Sequence, residues 1–551
     1  MKRINESSGN NSFFLLLKVY CRKYCEVSTI QGLGNIIKST SFIERIWWMT
    51  VFFLCLTGCT FMIYKVFHKW STTPVLVSLS TQEIPIYEIP FPAVTICPET
   101  KISHRCLDYT KVLLAKNKGN LSSISAMESR NFDFMMPLCK SDNHDSKLRQ
   151  EEEISMKSRG SFQASENLDD YSSFLSECRA VDLSTNAYCQ WMGNDAECEK
   201  ILTPILTDEG LCYSFKMFDV RDIYSDVNEM IYYREGVRNP DWSPDKGFRK
   251  DKVKNTFPRR VFLNGVKNAL VVVFYTKKSE VYYSCRDFSL QGIRVSLHSP
   301  SRIPRPSQVF FSVGLDRLTT VAVNPSFIRT TRTIKGYDPH RRFCFFENER
   351  KLKYFKSYSQ SLCNLECWTN YTINFCGCTH FYMPRDNETR ICDMSQQICL
   401  EQAKVSYPTN ILNEKLKNSD GTSSNADCDC LPLCSDLSYN SEISTGNWIF
   451  SDPDEVALDR VREWYSDFHA SAIRVYFKNQ YFLPMERSEL YGFSDLISNI
   501  GGVLGLFIGF SLFSVAEILY FILIRPISNI RKYGHWLGDV KSDSTFSNTY
   551  E

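Results

Sequence analysis

Leu496–Ile524 reads LISNIGGVLGLFIGFSLFSVAEILYFILI, 29 residues whose only charge is Glu517. About 20 apolar residues cross the hydrocarbon of a bilayer. This run is therefore long enough to span at a tilt or to carry a break. Ser498, Gly502, Gly505 and Gly509 recur at spacings of four, three and four, which is one face of a helix, and Ala516 lies seven beyond Gly509. Such a stripe serves either close helix–helix packing of the GxxxG kind or a pore lining, where small residues bring backbone carbonyls near an ion path. Glu517 favours the pore. An isolated carboxylate in hydrocarbon costs at least ~2.5 kcal/mol, so it faces water, a partner or ions. Glycines in mid-span also let a helix break where its carbonyls line a cavity. Two spans cannot enclose a pore alone, so several subunits must surround an axis.

An earlier apolar run, Ile46–Tyr64 (IWWMTVFFLCLTGCTFMIY), is 19 residues without a charge. The apolar stretch Phe13–Leu17 is too short for the core of a cleavable signal, so Ile46–Tyr64 is expected to be an uncleaved signal anchor. Residues 1–45 hold seven Lys/Arg and three acids, and Arg525, Arg531 and Lys532 follow the later run. Both flanks are then cytoplasmic by the positive-inside rule. The expected organisation is a cytoplasmic N-terminus over 1–45, a first transmembrane helix over 46–66 and an extracellular domain over 67–490. A second transmembrane helix follows over 491–524, then a cytoplasmic C-terminus over 525–551.

The rest of the composition fits a plasma-membrane protein with two spans. The chain has 551 residues, 64 Lys plus Arg against 62 Asp plus Glu, and a net charge of +2, which excludes nucleic-acid binding by bulk charge. With eight His and no HExxH, GxSxG or P-loop, it shows no catalytic constellation and implies no cofactor. Of its 22 Cys, Cys21, Cys25, Cys55 and Cys59 lie before or inside the first span; the other 18 fall between Cys97 and Cys434. An even set confined to the outer segment is what an oxidising compartment and up to nine disulfides produce. Zinc is the rival reading at Cys376-x-Cys378 with His380 and at Cys363-x3-Cys367, and it is disfavoured in an outer domain. Asn120, Asn370 and Asn387 head glycosylation triplets there.

Within the outer segment, Pro74–Pro98 reads as one or two strands. Residues 101–208 turn polar and read as a loop-rich peripheral subdomain, with disorder expected at Lys140–Ser173. Strand signals return at Ala269–Tyr275, Ile293–Leu297, Val309–Val313, Thr319–Val323 and Ala472–Phe477. In the last, Ile473, Val475 and Phe477 share one face. The expected architecture is a β-rich outer domain with a cysteine-stapled appendage, joined to membrane helices.

Six stretches in order carry a resemblance: FPAVTIC (91–97), GLCYSF (210–215), GIRVSLHSP (292–300), YSQSLCNLECWTNYTINFCGC (358–378), CDCLPLC (428–434) and GGVLGLFIGFS (501–511). The chain resembles subunits of the degenerin/epithelial sodium channel family, most of all the insect pickpocket branch. The resemblance implies a trimeric, voltage-insensitive channel with Na+ as the permeant ion, often blocked by amiloride. It implies a membrane α+β fold: two transmembrane helices around a disulfide-rich extracellular domain with a β-sheet palm, a finger-like region over 100–210 and a helical, thumb-like cysteine ladder over 344–434. Partners are identical or related subunits in a homo- or heterotrimer, membrane lipid, and an extracellular ligand or mechanical tether.

Residue by residue, the resemblance puts the selectivity filter on Gly509, Phe510 and Ser511 and the degenerin gate position on Ser498. It puts the amiloride contact on Gly505 and the pore acid on Glu517. The disulfides it implies are Cys344–Cys434, Cys363–Cys430, Cys367–Cys428, Cys376–Cys399, Cys378–Cys392 and Cys97–Cys212. Cys106, Cys139, Cys178, Cys189, Cys198 and Cys285 stay unassigned. Two departures stand out. The His-Gly gating motif appears as Gln31-Gly32, and the middle filter residue, normally small, is Phe510. The alternatives are a non-conducting or obligate heteromeric accessory subunit, or a two-span cell-surface receptor, which would need neither Glu517 nor the small-residue stripe.

Overall fold

The structure is a computed structural model and describes residues 20–72, 75–120, 124–135, 137–139, 168–181, 187–226, 238–252, 256–281, 285, 290–392, 396–417, 428–448 and 467–534. The chain divides into two compact units, Val77–Arg487 and the pair Met1–Leu76 with Ser488–Glu551.

The Val77–Arg487 unit is built on two sheets. Its main strands are β1 (Ala93–Pro98), β2 (Ala187–Trp191), β3 (Asn194–Ala196), β4 (Leu202–Thr207), β5 (Gly210–Phe215) and β6 (Leu270–Lys277), followed by β7 (Ile293–His298), β8 (Phe311–Val313), β9 (Arg317–Thr330), β10 (Asp436–Asn447) and β11 (Phe468–Phe477). One sheet includes the run β10–β9–β11–β6–β2–β3, in which β9 and β11 are parallel and the other pairs antiparallel, and Met485–Glu489 adds a second parallel pairing to β9. The second runs β8–β7–β1–β5–β4, antiparallel throughout. One continuous core takes residues from both: Val94 and Ile96, Tyr213 and Phe215, Leu270, Val272 and Phe274, Val321 and Val323, Ile473, Val475 and Phe477. Alternation along β11 sends those last three inward, as its sequence pattern requires. Phe91 sits at the junction, edge-on to Trp191 (4.9 Å), Phe477 (5.4 Å) and Phe215 (6.0 Å). The Tyr439 hydroxyl donates to Pro90 O at 2.8 Å, across 349 residues of sequence.

The polar stretch 101–208 is not loop-rich where it is described. It forms helices α3 (Tyr109–Asn117), α4 (Ala126–Met135) and α5 (Leu168–Glu177), numbered after two membrane-unit helices given below. These helices enclose a separate small core of Ile102, Leu107, Tyr109, Val112, Phe132, Met135, Phe174 and Leu175. Two or three apolar residues per helix suffice for that, too few for composition to reveal. Residues 140–167 of the stretch expected to be disordered lie outside the described residues. Further on, α6 (Gln360–Cys376) starts at Ser359, whose Oγ accepts from Leu362 N–H (3.2 Å), and stops at Gly377 in a left-handed conformation. It packs on α7 (Gln397–Lys417) through Trp368, Tyr371 and Tyr407, with ring centroids 5.0–5.1 Å apart across the two helices.

In the other unit, α1 (Leu33–Lys38) precedes α2 (Phe42–Thr72), which is 31 residues or about 46 Å long. The helix outruns the apolar stretch Ile46–Tyr64 at both ends, because polar and charged residues continue it where side chains can reach water. The second apolar stretch is not one helix. It comprises α8 (Phe493–Ile508), α9 (Leu512–Leu519), a single π-helical turn (Tyr520–Ile524) and α10 (Arg525–Tyr533), with a break at 509–511. Phe42–Thr72 and Leu512–Tyr533 are each long and apolar enough to cross a membrane.

Candidate functional site at the break in the second apolar segment

Gly509 ends α8 with φ +66°. That backbone region costs an L residue with a β-carbon about 1–2 kcal/mol, and a β-carbon here would also stand 2.8 Å from Gln31 Cγ. Glycine is thus required both by conformation and by close approach. The N–H of Gly509 donates to Gly505 O (3.0 Å) and that of Phe510 to Leu504 O (3.3 Å). Carbonyls at a helix C-terminus lack partners within the helix; that of Ile508 accepts from Gln31 N–H at 3.0 Å. Gln31 and Gly32 therefore lie on the break itself. Gly32 has φ +94° and faces Phe52 of α2, whose Cδ2 would lie 3.3 Å from an added β-carbon.

The chain re-enters a helix at Ser511, whose N–H donates to Ser514 Oγ (3.1 Å), an N-cap in which the side chain three residues on does the capping. Glu517 has a partner. Thr29 donates to its Oε2 from both N–H and Oγ1, each at 3.0 Å, across 488 residues of sequence. Thr29 Oγ1 lies 2.8 Å from Ser514 Oγ. One turn further, the Tyr20 hydroxyl donates to Phe521 O in the π-helical turn (2.6 Å), and the Tyr20 and Tyr24 rings pack edge-on to Phe521. The sequence had singled out Gln31, Gly32 and Glu517 but not Thr29, Ser514 or Tyr20. A Ser three residues after Ser511 is an N-capping signal that could have drawn notice to Ser514; nothing comparable marks Thr29.

The two sides of α8 differ. At 100° per residue, Ser498, Gly502, Gly505 and Gly509 fall on one face and Phe507 on the opposite one. Phe507 packs on Gly58 of α2, its Cε1 2.8 Å from where a β-carbon would be. Added β-carbons at Gly501 and Gly502 would meet nothing within 4 Å, and one at Gly505 only Phe510 O at 3.9 Å. Ser498 is exposed and Phe510 half-buried. From Ser498 to Gly505 the small-residue face is thus left open by the described residues of its own chain, while Gln31 covers its end at Gly509.

A family model described as "ASC: Amiloride-sensitive sodium channel" matches residues 24–521. The chain belongs to this family. Its relatives include Pickpocket protein 28 of Drosophila melanogaster, 29% identical over 91% of this chain and 78% of that protein. Pickpocket protein 11 of the same organism is 22% identical over 92% of this chain and 76% of that one. Acid-sensing ion channel 2 of Rattus norvegicus is 28% identical over 42% of this chain and 41% of its own length. The chain is thus an insect pickpocket-like member of a family of sodium channels, not enzymes.

In this family member the β-rich region is extracellular and carries nine disulfides. They join Cys344 to Cys434, Cys363 to Cys430, Cys367 to Cys428, Cys376 to Cys399, Cys378 to Cys392 and Cys97 to Cys212. The six cysteines that sequence left open pair as Cys106–Cys178, Cys139–Cys285 and Cys189–Cys198. Cys363, Cys367, Cys376 and Cys378 are thereby spent as disulfides, so the thiolates that the zinc reading needs are not available there. Cys21, Cys25, Cys55 and Cys59 are free thiols. Asn120, Asn370 and Asn387 are all exposed. Burial holds the His298 imidazole neutral, its pKa pushed down to about 4, with Nε2 2.8 Å from Thr95 Oγ1 and Nδ1 2.9 Å from Ser299 O.

Proposed function

We propose that this chain is a pore-forming subunit of a trimeric, voltage-insensitive, sodium-selective and amiloride-sensitive cation channel of the plasma membrane, opened by an extracellular chemical or mechanical stimulus. The observation that carries the reading is the open small-residue face of α8 opposite the Phe507–Gly58 contact, ending at a glycine-capped break. A helix packed on one side by its own chain and bare on the other suits convergence with copies around an axis. Gly509, Phe510 and Ser511 are assigned as the filter, since carbonyls freed at a break can replace ion hydration. Ser498 is the gate position, Gly505 the amiloride contact, Glu517 the pore acid, and Gln31-Gly32 the gating motif. In the extracellular domain, the sheets form the palm, 100–210 the finger and 344–434 the thumb, with sugars on Asn120, Asn370 and Asn387. Both termini are assigned to the cytoplasm.

The test is whole-cell current from cells expressing this chain, with sodium and then potassium outside, before and after amiloride. An inward current that is larger in sodium and blocked by amiloride is expected. One observation favours a second reading, an obligate heteromeric subunit: the bulky Phe510 in the middle of the break. That reading expects current only when a related subunit is co-expressed.

A further inference from the structure

α2 and α8 lie against each other within the membrane unit. The covered face of α2 takes in Cys55, Gly58, Cys59, Ile63 and Val66, all half-buried or buried and recurring every three or four residues. The covered face of α8 takes in Leu496, Ile500, Val503 and Phe507. Gly58 alone on its face lacks a side chain, and Phe507 carries the largest one on the other. The ring fills that notch. Its Cε1, Cδ1 and Cζ lie 2.8, 3.5 and 3.7 Å from where a β-carbon of residue 58 would stand. The first distance is well below the 3.4 Å at which ordinary contact begins. Even one methyl group at position 58 therefore drives the ring, and α8 with it, away from α2. The direction of relief is set by the opposite face of α8, where a β-carbon added at Gly502 would meet nothing within 4 Å. The break at Gly509 begins two residues, or about 3 Å of helix, beyond Phe507.

We infer that Gly58 is a positioning residue for conduction: the notch it leaves sets the depth at which Phe507 seats against α2, and so the width of the ion path at the break. The inference rests on the pore reading above. Passage between groups that replace ion hydration depends on how far apart those groups stand. Displacing α8 toward its open face brings the break closer to the axis and narrows the path.

The test is unitary conductance in sodium and in potassium, recorded from single channels, with a related subunit added where one is required. Gly58→Ala should lower both conductances, that of the larger potassium ion more, and Gly58→Val should lower them further. Phe507→Leu shortens the side chain that fills the notch. Alone it should raise unitary conductance, as α8 settles toward α2, and combined with Gly58→Ala it should restore the wild-type value. Fewer channels of unchanged unitary conductance in Gly58→Ala would be the mark of a merely structural contact and overturns the assignment. A deficit that Phe507→Leu does not relieve overturns it too. Where Gly58→Ala does not reach the surface, Phe507→Leu alone decides, and an unchanged conductance there overturns the assignment. Seating of the helices is read without current. In a chain with Cys55 and Cys59 replaced by Ser, a short bifunctional thiol reagent should join Gly58→Cys to Phe507→Cys, detected by peptide mass; absence of that link also overturns it. Absence of current from unsubstituted channels counts against the pore reading alone, while the cross-link still decides the seating.

Discussion

The extracellular region and the second apolar segment achieve order by opposite means. In the first, nine disulfides and a continuous two-sheet core close the chain covalently and by burial. The ladder from Cys344 to Cys434 alone holds five bonds, each worth roughly 3–4.5 kcal/mol in the chain-entropy treatment. In the second, a helix stops at Gly509, restarts at Ser511, and is held to a distant N-terminal turn by a few hydrogen bonds. A net hydrogen bond contributes about 1 kcal/mol, a charged one about 1.5–3. The braced region resists change, whereas the stitched one can shift between arrangements at small energetic cost. Damage to the first should therefore remove protein, and damage to the second should alter current.

Replacing Cys344 and Cys434 together by Ser makes the largest expected difference. It should cost about 4.5 kcal/mol of stability and cut surface protein sharply, leaving the sodium-to-potassium ratio of surviving channels unchanged. A changed ratio at normal surface level would falsify the division of labour between the two regions. Acid comes next. Because burial lowers the His298 pKa to about 4, the unfolded chain binds a proton between pH 6.5 and 4 that the folded one does not. Stability should thus fall by roughly 3 kcal/mol as pH drops through that window, then level off. Thermal unfolding of the full chain in detergent measures this, and His298→Gln should flatten the slope; an equally steep slope would point to other groups.

On the stitched side, the proposed gate at Ser498 makes Ser498→Phe overpack the closed state by ~1–3 kcal/mol, shifting the equilibrium roughly 5- to 150-fold toward open. A standing sodium current without stimulus, at unchanged surface level, is the expected readout. Resting current at the wild-type level in conducting channels would remove Ser498 from the gate. The smallest effect sharpens the comparison most. Gly509→Ala adds left-handed strain of about 1–2 kcal/mol and drives into Gln31, so current should fall while surface protein does not. Adding Gln31→Gly removes the collision and should recover part of the current; no recovery would mean that strain alone matters.

What could be read in the sequence follows the same divide. The alternation at Ala472–Phe477 disclosed its inward face because a buried strand must repeat every two residues. β10 (Asp436–Asn447) gave no such signal. It is a sheet edge, largely exposed, and backbone bonds to β9 hold it without any apolar pattern. The helices α3, α4 and α5 bury too few side chains to stand out from a polar background. At the site, clustered glycines announced that a break was permitted and Glu517 that a partner was required. The partner's identity was hidden, because Thr29 lies 488 residues away and periodicity carries no information about distant pairing.

The Tyr439–Pro90 bond, spanning 349 residues, has a consequence for biosynthesis. Ribosomes add about 5–20 residues per second, so tens of seconds separate the emergence of Pro90 from that of its partner. Until β11 follows, β6 lacks its antiparallel partner and Phe91 lacks Phe477. Contacts so distant in sequence make folding slow and leave apolar strand edges uncovered while it proceeds. The Cys344–Cys434 stretch draws its bonds from within itself and can close as soon as it is translocated. The sheet core, begun before the Cys344–Cys434 stretch, is therefore among the last parts to finish, and its apolar strand edges stay uncovered until the final strand arrives.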